Sequence, residues 1–104
     1  MASRQPSLLV DTNVWLDYFL PKRPGHAEAL SFVSFAREHN HPLLYPAAIV
    51  KDVFCLIANA LKRDIRNESG TLNEHDAATA TEIAWGCVRS MREQATAVGA
   101  DESD

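Results

Sequence analysis

The segment Ser7-Leu8-Leu9-Val10-Asp11-Thr12-Asn13-Val14-Trp15-Leu16 constrains this chain more than any other. A short apolar run that halts on an acid and resumes at helical spacing reads as a buried strand turning directly into a helix. Leu8 to Val10 is the strand. Val14 to Leu20 is the helix, with Trp15, Leu16, Phe19 and Leu20 at three-and-four spacing. Open α/β sheets place ligands in the crevice outside the carboxyl ends of their strands. Asp11 falls there and is a candidate for metal or phosphate chemistry. Asp11, Thr12 and Asn13 are also residue types whose side chains cap helix N-termini.

The rest of the chain repeats this plan. Pro21 and Pro24 end the first helix, and His26 to Glu38 restores a helical period through Ala27, Leu30, Phe32, Val33 and Ala36. Leu43, Leu44 and Tyr45, between Pro42 and Pro46, form a second strand. From Ala47 to Lys62 a wide apolar stripe (Ile49, Val50, Val53, Phe54, Leu56, Ile57, Ala60, Leu61) predicts a helix packed on a sheet. Arg63 to Gly70 has no periodicity and reads as a connector. Thr71-Leu72-Asn73-Glu74 has capping-box spacing and opens a fourth helix with Ala80, Ile83, Ala84, Cys87, Val88, Met91 and Ala95 on one face. Trp15 and Trp85 both fall on apolar faces and are assigned to the core. Ala97 to Asp104 is a candidate third strand entry. This order predicts an α/β fold with a short parallel sheet, because each return to the sheet passes through helices.

A length of 104 residues suits a single domain, and 46% apolar residues support a packed core. Ten Lys and Arg stand against 14 Asp and Glu, a net charge of -4, which argues against holding nucleic acid by bulk electrostatics. A nucleic-acid substrate then requires divalent metal on clustered carboxylates to reverse the local potential. Cys55 and Cys87 are isolated, without zinc-ligand spacing or a disulfide framework, as reduced thiols of a cytoplasmic protein would be. No run approaches the ~18 apolar residues of a membrane span.

Asp52 is the second informative acid. It lies at the margin of the apolar stripe of the third helix, where a carboxylate is costly unless it is paired, solvated or bound to a cation. Lys51 or Arg63 could neutralise it. If Asp11 and Asp52 converge, Mg²⁺ or Mn²⁺ would relieve their repulsion, since hard cations prefer oxygen ligands.

The strand ending in Asp11-Thr12-Asn13, the two helices after it, the strand before Pro46 and the helix bearing Asp52 together resemble the PIN domain. The closest likeness is to the VapC-type ribonucleases that serve as toxins of toxin–antitoxin pairs. It spans Leu8 to Asp104. The resemblance implies a three-layer fold and a Mg²⁺- or Mn²⁺-dependent endoribonuclease. Asp11 and Asp52 would be its catalytic metal ligands, and Thr12 and Asn13 would support them. Asp52 stands where the family usually carries a longer glutamate. The family's remaining acids follow its fourth helix, so residues 1–104 resemble an incomplete PIN domain without its last helix and strand. Asp101 and Asp104 resemble the lead-in to that segment.

Partners follow from the same likeness. RNA would be the substrate, with Lys22, Arg23, Lys62 and Arg63 as weak backbone contacts, and an antitoxin would be the protein partner. An unpaired Leu8 to Val10 edge would favour homo-oligomers. The alternative is a non-catalytic module that binds an amphipathic helix in a groove lined by Trp15, Phe19, Phe32 and Phe35. A receiver-like or phosphate-binding domain is disfavoured by the lack of a glycine-rich loop. His39-Asn40-His41 falls in a helix-to-strand loop and lacks the frame of the nuclease motif it spells. Asp17 is read as a solvated helix residue or a support for Asp11. Glu74, Asp76 and Glu82 are read as acids favouring the start of the fourth helix.

Overall fold

Three short runs of β-prone residues line up in one direction, with a pair of helices between each strand and the next. The computed structural model describes residues 5–99. Its elements are β1 (Leu8–Leu9), α1 (Thr12–Phe19), α2 (His26–Glu38), β2 (Leu43–Pro46), a 3-10 turn (Ala47–Ile49), α3 (Val50–Ser69), α4 (Glu74–Gln94) and β3 (Ala95–Val98). Strand order is β1-β2-β3, and both pairings are parallel. The register sets Leu8 beside Leu43 and Leu43 beside Ala95. The chain is α/β, as its element order predicts.

The sheet is covered on one face, not two. Helix α1 from the first crossover packs against α3 from the second, so both crossovers lie on the same side. Leu8, Val10, Leu43 and Tyr45 pack into the core on that side. Leu9 points the other way and is 63% exposed. The molecule is accordingly thin, 57 × 36 × 16 Å, with a radius of gyration of 15.6 Å against about 13 Å for a compact chain of this length. The described residues therefore form two layers instead of the expected three. Parallel sheets normally bury both faces, which makes the exposed Leu9 on the far side of β1 a physical anomaly.

Helix boundaries differ from the sequence pattern at three points. The polar stretch after Lys62 is helical to Ser69, because it runs through water and needs no apolar stripe. It stops where Gly70 adopts a left-handed φ of 84° and donates its amide to the Arg66 carbonyl at 2.8 Å. Helix α4 is capped by Asn73, whose side chain accepts the Asp76 amide at 2.7 Å, so it starts later than a cap at Thr71 would place it. Strand β3 begins at Ala95, directly after α4, where the helical stripe was expected to continue. The end of the predicted third strand, from Ala100 to Asp104, lies outside the described residues.

The core gathers Val10, Trp15, Leu16, Val33, Tyr45, Val53, Ile57, Ala84, Val88 and Met91. Leu56, Ile83 and Trp85, placed on packed apolar faces by periodicity, are 46%, 49% and 45% exposed. Alanines at 80 and 84, with Val88, form the buried line of α4, and Ile83 and Trp85 flank it on the water side. Cys55 and Cys87 are half-buried free thiols, and burial pushes the Cys87 thiol up.

The turn joining α1 to α2 is fastened by Asp17. Its carboxylate accepts from Arg23 Nε at 2.7 Å, and its carbonyl lies 2.8 Å from His26 Nδ1. The other carboxylate oxygen sits over Gly25, the residue that opens α2, where a Cβ would clash with it. An acid at this helix start also favours the dipole. Asp17 is thus a clamp and not a solvated helix residue. Gly25→Ala is expected to cost about 1 kcal/mol or less, because the carboxylate must swing away from the new Cβ and weaken its partly exposed pair with Arg23. In urea titrations the Asp17→Ala background should absorb most of that loss, since the obstacle is gone.

Candidate functional site

Parallel pairing decides toward which end of the sheet the two candidate acids lie. The Val10 amide donates to the Leu44 carbonyl at 2.8 Å, so pairing of the first two strands continues to the end of β1. Extending the register sets Asp11 abreast of Pro46, the last residue of β2. The chain then makes one 3-10 turn and enters α3, with Asp52 in the first helical turn. Asp11 and Asp52 therefore both lie beyond the same end of the sheet, one directly after β1 and the other in the helix that follows β2. Topological reasoning assigns ligands to this end.

Each carboxylate also has a local role. Asp11 has extended backbone angles, φ −91° and ψ 179°, and accepts the Val14 amide at 3.3 Å as the N-cap of α1. Asp52 is an acid in the first turn of a long helix, where the dipole favours it. Both side chains are exposed. Thr12 and Asn13 occupy the first turn of α1, the former half-buried and the latter exposed. Among the described residues no group of three or more His, Cys, Asp or Glu side chains is placed to hold a metal ion.

The basic residues divide into two pairs. Arg23 is bound to Asp17 at 2.7 Å, and Lys22 lies 3.6 Å from Asp64 and 3.3 Å from Glu68. The Glu68 hydrogen bond and the Asp64 charge raise the Lys22 amine above its usual value. These cations tie the α1–α2 turn to its surroundings, and their charge is largely matched by carboxylates. Lys62 and Arg63 lie in the second half of α3, about 15 Å along the helix axis from Asp52. The sequence contained the acids that engage Lys22, but pairing across forty or more residues leaves no local signal.

Other candidates resolve into structure. His39 ends α2 and His41 enters β2, and their rings stack on Phe35 at centroid distances of 4.3 and 5.6 Å. Their Nδ1 atoms lie 3.0 Å from the Phe35 carbonyl and 2.9 Å from the Pro6 carbonyl. These contacts are those of a helix terminus. The expected aromatic groove between the first helices is not formed as such, because Trp15 is wholly buried. A crevice of about 220 Å³ between α1 and α2 is lined instead by Val14, Asp17, Gly25, Glu28, Ala29 and Phe32. Glu82, read as an acid at the start of the fourth helix, lies in its third turn, since α4 begins only at Glu74.

No helix is long and apolar enough to cross a membrane among the described residues. No protein-family model, curated protein or solved structure matches the chain.

Proposed function

We propose that this chain is a PIN-type, metal-dependent endoribonuclease domain of the toxin class, in which Asp11 and Asp52 hold Mg²⁺ or Mn²⁺. The observation that carries the reading is the placement of these acids beyond one end of the sheet, Asp11 directly after β1 and Asp52 in the first turn of the helix that follows β2. The donor set fits a hydrated ion, because magnesium keeps several waters and is commonly held by one or two carboxylates with substrate phosphates. When bound, such an ion supplies charge stabilisation at the phosphoryl oxygens and a more acidic attacking water. Asp11 would orient the ion from a fixed position, since its cap bond to Val14 sets the side-chain direction. Asp52 would reach it through water, being one methylene shorter than a glutamate. RNA would approach with little electrostatic help, because Lys22 and Arg23 are already matched.

The test is cleavage of a mixed-sequence RNA in Mn²⁺, with chelator and with Asp11→Asn and Asp52→Asn as controls. Cleavage that chelator and either substitution abolish supports the proposal. Cleavage insensitive to all of them, or none at all, overturns it.

A second reading is favoured by the outer edge of β1, which pairs with no strand among the described residues. The Leu8 and Val10 amides donate to Pro42 and Leu44, so the backbone polar groups of Leu9 point away from β2 along a free edge. Such an edge is a template for strand addition. In this reading the chain is a non-catalytic PIN-derived module that pairs through β1 with a partner or a second copy.

A further inference from the structure

We propose that α4 is the contact helix of a weak homodimer in which two copies cross antiparallel at Gly86. The inference is independent of the metal site and of the β1 edge. It begins with a glycine in the wrong place. Gly86 lies in the middle of a 21-residue helix, where glycine is the poorest residue after proline. Nothing in its own chain demands it, since a Cβ there would meet only Arg89 Nη2, at 3.8 Å. A glycine kept without an internal reason suits close approach by another backbone.

The surface around it is shaped for such an approach. Thr79, Glu82, Ile83, Trp85 and Arg89 line a depression of about 520 Å³ along the outer side of α4. Ile83 and Trp85 leave about half their surface in water, and Trp85 is held in place by Phe54, with ring centroids 4.2 Å apart. Apolar residues around a notch, with charges beside them, are the layout of a contact patch with a polar rim.

Charge identifies the occupant. Glu82 lies one turn before Gly86 and Arg89 one turn after, and neither forms an ion pair among the described residues. A two-fold axis between Trp85 and Gly86 sets Glu82 of one copy against Arg89 of the other, twice. Directly abreast in this register, Glu93 faces Ala78 and Arg92 faces Thr79, so no like-charged pair stands opposite. This is the self-complementarity that an isologous contact requires. One helix pair covers less than the roughly 800 Å² per partner of a standard interface, so association is expected to depend on concentration.

Sedimentation velocity from low micromolar to near-millimolar protein tests the arrangement. The unmodified chain should shift from monomer to dimer across that range. Glu82→Arg and Arg89→Glu should each weaken the dimer about tenfold or more, because like charges then face one another. The double exchange Glu82→Arg/Arg89→Glu should restore it. Gly86→Gln should raise the melting temperature by several degrees, through better helix propensity in open space, while abolishing the dimer. A chain that stays monomeric throughout overturns the proposal. So does a dimer indifferent to all these changes, which would point to the β1 edge, or a double exchange no better than the single ones.

Discussion

Trp15→Ala is expected to remove most of the stability of this protein. The indole is wholly buried, belongs to the same core cluster as Leu16, Leu20, Val33, Tyr45 and Ile57, and lies 6.1 Å centroid to centroid from Phe19. Truncating a buried tryptophan to alanine costs about 3–5 kcal/mol, against a total near 5–15 kcal/mol for a domain of ordinary stability. A two-layer sheet has little further core to compensate. Trp15→Phe separates volume from polarity. The indole Nε1 is buried with no hydrogen-bond partner among the described residues, and an unmet buried donor costs about 1–3 kcal/mol. Phenylalanine leaves a smaller cavity and removes that donor, so its net loss should be well under half that of alanine. Denaturant midpoints measure both. The exposed Trp85 is a separate fluorophore, so the midpoint can still be followed by fluorescence in each variant. A Trp15→Ala protein as stable as its parent would show that α1 does not pack as described.

Elements whose burial matches their pattern were legible in the sequence. Helix α2 runs from His26 to Glu38 as its period and flanking polar residues indicate, and β2 begins at Leu43 as Pro42 suggests. The end of α3 beyond Lys62 was not legible, because Arg63 to Ser69 carry no apolar stripe to mark a helix. Trp85 and Ile83 were misplaced for the opposite reason. They have helical spacing, but the buried line of α4 runs through Ala80, Ala84, Val88 and Met91, and both lie beside it. The one-sided sheet could not be read from β1 at all. Leu8, Leu9 and Val10 are all apolar, so their composition matches a strand covered on both faces, while only Leu8 and Val10 meet the core.

The acids show the same boundary between local and global information. Asp11 was conspicuous because a run of apolar residues ends on it. Its placement beside the entry to α3 depends on which strand pairs with β1, a long-range fact. Asp17 resembled any polar helix residue, and its grip on Arg23 and Gly25 arises only once the chain reverses at Pro21 and Pro24. Pairing partners many residues apart, like Lys22 with Glu68, are set by the docking of α1 on α3.

Addition of Mn²⁺ is expected to raise the melting temperature, and Asp11→Asn to erase the rise without weakening the apo protein. Binding to the folded state alone stabilises it by about 2.7 kcal/mol at one hundred times the dissociation constant. For a chain of this size that is a shift of roughly 10 °C or more. Asparagine isolates the ligand role, because it caps a helix about as well as aspartate does and can still accept the Val14 amide bond, yet it carries no charge to hold a cation. Asp11→Ala should differ from it. That change loses the cap as well, at about 1 kcal/mol, and so lowers the melting temperature even with no metal present. Asp52→Asn should reduce the metal-dependent rise too, with only a small dipole loss of its own. If metal shifts the parent and Asp11→Asn equally, the ion binds elsewhere and Asp11 is a helix cap alone. If Asp11→Asn and Asp11→Ala fall together in the absence of metal, the Val14 hydrogen bond is not what fixes this side chain.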